Sequence, residues 1–137
     1  MKHRLILRLA AFVGIVFGLA LMFAPDALLG MYRAESLNHP GRGMAMLYGS
    51  LLTGFAVMNF AASRARDIAE IHYVLIGNLV ASTLSFVISI YRQLMVDSVP
   101  DTAWFNVLLH LAFVAMFGYL YMASPAGYSL HRTGSHA

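Results

Sequence analysis

The chain has 137 residues, 60% hydrophobic and 11% charged, against about 25% charged in a soluble domain, which excludes a domain with a fully water-exposed surface. A formal net charge of +3, scattered among loops rather than gathered on one face, gives nucleic-acid binding no support. The absence of cysteine removes disulfides, thiolate catalysis, Cys-ligated zinc and iron–sulfur clusters together.

Residues 1–24, MKHRLILRLAAFVGIVFGLALMFA, begin basic and turn apolar, which predicts a first membrane span over 5–24. No convincing small-x-small cleavage site precedes Pro25 and the apolar run is long enough to stay in the membrane, so it reads as a retained anchor rather than a signal peptide. Gly14-x-x-x-Gly18 gives it a close-packing face. PDALLGMYRAES then reads as a short amphipathic helix in the interface plane, with Leu28, Leu29 and Tyr32 opposite Asp26 and Arg33. Asn38-His39-Pro40-Gly41 reads as a turn.

A second span is predicted over 43–62, where Gly49, Ser50, Thr53 and Ala56 share one small-residue face and Arg42 stands at its mouth. Arg42 is expected near Glu35, Asp97 and Asp101, where it either anchors a lipid phosphate or pairs with a carboxylate at the rim. The third span, 71–91, IHYVLIGNLVASTLSFVISIY, contains no Lys, Arg, Asp or Glu. As a helix it is roughly 30 Å long, the thickness of a bilayer's hydrocarbon core. Asn78, Ser82, Ser85 and Ser89 fall on one narrow polar stripe, and Gly77, Ala81, Ser85 and Ser89 repeat at i, i+4 as a small-residue ladder for a neighbouring backbone. A turn around Pro100 leads to a fourth span over 103–123, which Asp101 or Thr102 is placed to cap. Residues 125–137 read as a flexible tail after a single membrane domain, 1–124.

The expected fold is therefore all-α: four transmembrane helices in an up-down-up-down bundle, with an interfacial helix between the first two. Lys2, Arg4, Arg8, Arg64, Arg66 and Arg132 fall on the side of the termini, and Arg33, Arg42 and Arg92 on the other. Lys and Arg mark the cytoplasmic side, so both termini are expected in the cytoplasm.

The segments FAPDALLGMY, MNFAAS, IGNLVAST and WFNVLLHLAFVAMFGYLY, and chiefly Asn78, Asn106 and His110 within them, resemble the small bacterial four-helix membrane proteins called DoxX-like. The resemblance implies a bacterial inner-membrane protein; most such proteins have no assigned function, and DoxX itself is associated with quinone-linked respiratory oxidation. No catalytic set comes with it.

His110 is the side chain most suggestive of chemistry. It lies about two turns inside the fourth span, with Asn106 one turn before it and Phe113 and Phe117 continuing its face. An ionisable group at that depth is either a neutral imidazole tying two helices or a ligand-handling residue. Counting depth from the shared outer turn, at about 1.5 Å per residue, brings the stripe of the third span past His110. The candidate site is thus Asn78, Ser82, Ser85, Asn106 and His110, with Thr53 from the second span and Phe113 and Phe117 as apolar walls. His72 is expected far from His110, at the interface near Asn59 and Arg66, which argues against one haem held by both. The methionines towards the outer end read as apolar filler rather than copper ligands.

No GxSxG, P-loop, HExxH or paired-carboxylate motif occurs. The expected function is a non-enzymatic accessory or self-associating subunit in a homo-oligomer or larger membrane complex. The alternative is a module that binds a lipophilic molecule, a quinone or lipid, beside His110.

Overall fold

The computed structural model describes residues 2–32, 36–96 and 99–124. All regular structure among them is helical: α1 (Lys2–Phe23), α2 (Pro25–Gly30), α3 (His39–Ala62), α4 (His72–Met95) and α5 (Trp104–Met122). Four helical stretches, Lys2–Phe23, His39–Ala62, Ile68–Met95 and Asp101–Met122, are long and apolar enough to cross a membrane. The tail at 125–137 and the acids Glu35 and Asp97 lie outside the described residues.

Helix starts differ from the sequence expectation in ways that follow from capping. The Asn-His-Pro-Gly segment is the start of α3 rather than a separate turn. Asn38 is extended, and its side-chain oxygen accepts the Gly41 N–H at 2.8 Å. Proline suits that first turn because its missing N–H has no intrahelical partner there anyway. Asp67 opens the third stretch, its carboxylate accepting the Ala69 N–H at 3.1 Å over a short 3-10 turn, Ile68–Ile71. Before α5, Asp101–Ala103 form a 3-10 turn themselves, so neither Asp101 nor Thr102 serves as the expected side-chain cap.

Small residues decide which helices touch. A Cβ placed on Gly49 would stand 2.6 Å from the Gly18 carbonyl oxygen, and one on Gly18 would collide with Thr53 Oγ1. A Cβ on Gly14 would lie 3.0 Å from Ala56 Cβ. As α1 is climbed from residue 14 to 18, its contacts on α3 step back from 56 to 49, so the two helices run antiparallel with their backbones in close approach. Ser50, expected on this face, is exposed.

The second close pair is α4 with α5. His72 stacks on Tyr121 with ring centroids 5.1 Å apart, and Leu79 faces Gly118. The small-residue ladder of α4 does not make this contact. A Cβ on Gly77 would meet nothing within 4 Å, because α5 lies against the face that carries Leu75 and Leu79.

The two pairs join at the end that carries the chain's start. Leu7 and Ala10 of α1 pack there with Ile71, Leu75, Phe117 and Leu120 in one buried cluster. Lys2 Nζ donates to the Tyr119 hydroxyl at 3.2 Å across the same end. Towards α2 the pairs part.

Candidate binding cavity between the helix pairs

Where the pairs part they enclose a cavity of about 550 Å³, within the size range of small-molecule sites. Seven residues expected at the site, Asn78, Ser82, Ser85, Asn106, His110, Phe113 and Phe117, line it. The α4 stripe supplies the first three. The others stand one turn apart along one face of α5, where 100° per residue stacks them. Thr53 is not on the wall. It lies in the α1–α3 seam against Gly18, its hydroxyl donating to the Gly49 carbonyl at 2.9 Å, with Met22 Sδ at 3.8 Å.

An amide pair stands across one end of the cavity. Asn59 Nδ2 donates to Asn78 Oδ1 at 3.0 Å, and Asn78 Nδ2 donates back to Asn59 Oδ1 at 2.8 Å and to the Val74 carbonyl at 2.8 Å. Both asparagines are buried, so these bonds satisfy groups that would otherwise be costly away from water. Asn59 therefore faces Asn78 rather than His72, whose ring is held between Tyr121 and Tyr73.

At the opposite end stand α2 and Tyr32. Leu28 and Leu29 line the cavity, and the Tyr32 hydroxyl donates to Asn106 Oδ1 at 3.3 Å. Partial burial pushes the Tyr32 phenol above its ordinary pKa, with the Asn106 hydrogen bond pulling part of the way back. Arg42 pairs with Asp26, whose other oxygen accepts the Leu37 N–H at 3.1 Å. The carboxylate partner at the rim is thus Asp26, on the first turn of α2, and not Asp101. With side chains 54% and 38% exposed the ion pair fastens α2 only weakly.

The hydrogen bonds of the wall leave Ser82, Ser85 and His110 without a partner among the described residues. Facing them are apolar side chains of α1 and α3, including Phe17, Leu52 and Phe55. Among the described residues no Lys, Arg, Asp or Glu lines the cavity, and no three His, Asp or Glu side chains come together as a metal site. Chemically, the arrangement offers neutral donors and acceptors on one wall and hydrocarbon on the other.

Sequence reasoning passed over Asn59 as a wall residue. The available signal was its place ten residues after Gly49 and three after Ala56, on the side of α3 turned to its neighbours. Tyr32 was read as part of an apolar face, which it is, but the hydroxyl's reach to Asn106 depends on where the connection folds. Comparison of the chain with protein families, with curated proteins and with solved structures finds no match. The DoxX-like resemblance therefore rests on the quoted segments alone.

Proposed function

We propose that this chain is a membrane-embedded binding module, an up-down-up-down bundle whose cavity takes a neutral lipophilic molecule with one hydrogen-bonding end. The observation that carries this reading is the coincidence, in one cavity, of His110 and Ser85 with no hydrogen-bond partner among the described residues and an opposing wall of Phe17, Leu52 and Phe55. A neutral imidazole both donates and accepts, so His110 suits a carbonyl or hydroxyl. The lack of charged lining disfavours a free anion, whose burial unpaired is expensive. A quinone or a neutral lipid has the required form. In this reading the protein sits in a bacterial inner membrane with both termini cytoplasmic, α2 lies at the outer interface, and the rim pair of Arg42 with Asp26 meets lipid headgroups.

The test is solvent extraction of protein purified in mild detergent, followed by mass spectrometry of the extract. A stoichiometric neutral compound supports the module; an extract holding only the bulk lipids of the membrane counts against it.

A second reading, an accessory or self-associating subunit of a larger complex, is favoured by the open space at Gly77 beside exposed Ala81 on α4. Such a face suits a helix from another chain. Cross-linking from cysteines placed at Gly77 in native membranes separates the two, since self-association gives a dimer band and a solitary module gives none.

A further inference from the structure

The cavity wall is unequal in its exposure. Its lining residues on α1 and α5 are all buried or half-buried. Those on α3 and α4 include Tyr48, Leu51, Phe55 and Leu84, which are 53%, 61%, 45% and 58% exposed, together with exposed Ala81. Residues that both line a cavity and stand open to the surroundings mark its mouth. That mouth runs along the flank of the bundle, between the α3 and α4 segments that carry them. Among the described residues, the Asn59–Asn78 pair stands across one end of the cavity, and Leu28, Leu29 and the Tyr32–Asn106 contact stand across the other.

We infer that the cavity is loaded sideways from the bilayer, through the slot between α3 and α4, so that its occupant is a membrane-dissolved amphiphile and not a water-borne solute. This rests on the binding reading above and adds the route and the solvent from which the molecule comes. The slot's rim is apolar apart from the Tyr48 hydroxyl, so a hydrocarbon body crosses it without desolvating a charge. A solute arriving from water would instead have to pass Leu28 and Leu29 of α2 and part the Tyr32–Asn106 contact.

The cysteine-free chain permits a direct test. Leu51→Cys and Leu84→Cys, both at exposed positions, are joined across the slot by a flexible bis-maleimide in phosphatidylcholine vesicles. A monoacylglycerol bearing a diazirine in its chain is the probe, and labelled residues are read by mass spectrometry. Bridging before the probe is added should abolish labelling of His110 and Phe113 while exposed Leu111 stays labelled. Bridging after the probe has equilibrated should preserve the cavity label. Ala81→Trp, which narrows the same slot without a reagent, should slow labelling of His110 in the same way. Equal labelling of the cavity in bridged, narrowed and open forms would overturn lateral loading and leave the binding reading standing. A cavity unlabelled in every form, with Leu111 labelled, would overturn both.

Discussion

Asn59 and Asn78 hold each other by reciprocal amide hydrogen bonds of 3.0 and 2.8 Å, joining α3 to α4 at one end of the cavity. The pair lies where two helix hairpins, each packed closely within itself, come back together. If one amide is replaced, the other keeps its polar atoms in a buried place. Asn59→Leu and Asn78→Leu should therefore each lower stability, and the double variant should lose less than the sum. Interhelical hydrogen bonds in membranes average about 0.6 kcal/mol and reach ~1.7, which sets the size of the coupling expected in a double-mutant cycle by detergent unfolding. Strict additivity would mean that the amides do not act as a pair.

The α1–α3 seam should be the place least tolerant of bulk. Gly18→Leu and Gly49→Leu push a side chain into the opposing backbone, and overpacking of this kind costs ~1–3 kcal/mol. Val80→Leu, at a position 52% exposed, should change little. Thermal unfolding in detergent ranks the three, and a Val80 variant as damaged as the glycine variants would mean that the seam lies elsewhere.

These two sites also measure how much was legible in the sequence. The spans were, because uncharged runs of membrane length have few other uses, and so were the small residues at 14, 18, 49 and 56. The polar stripe of α4 was legible as a stripe, since 100° per residue aligns Asn78, Ser82 and Ser85 whatever surrounds them. Its partner was not. Periodicity gives the face of a helix but not the neighbour opposite that face, so Thr53 was assigned to the cavity when its spacing from Gly49 puts it in the seam. The ladder beginning at Gly77 misled for the same reason: four-residue spacing of small side chains permits close approach, and α5 approaches the adjacent face instead. Asp26 as the partner of Arg42, and Tyr32 as the partner of Asn106, depend on the course of the connection after α2, which no periodic pattern encodes.

Tyr32 gives a pH signature. Its phenol stays protonated above the ordinary tyrosine range when folded and ionises at the ordinary value when unfolded. The unfolded chain thus loses its proton first as pH rises, so the associated stability is complete below the ordinary tyrosine pKa and is lost as pH passes the folded one. Ultraviolet difference titration of the native protein against Tyr32→Phe should show one tyrosine ionising late. A missing component at the ordinary tyrosine value would instead place Tyr32 in open solvent.

Orientation follows from the Lys and Arg distribution. In inside-out and right-side-out vesicles, a cysteine at exposed Ala69 should react with an impermeant maleimide only from the cytoplasmic side, and one at exposed Ser36 only from the other. The opposite pattern would invert the topology.

The central claim, that the cavity beside His110 holds a neutral lipophilic molecule, is tested most directly by native mass spectrometry of the protein released from gentle detergent, with His110→Phe and Ser85→Trp measured alongside. The wild type should carry a neutral adduct at a one-to-one ratio. His110→Phe should remain folded and lose it for want of the hydrogen bond, and Ser85→Trp should lose it because the indole fills the space. A wild type without an adduct, combined with a His110→Phe variant that unfolds, would contradict the claim and leave His110 as a tie between helices.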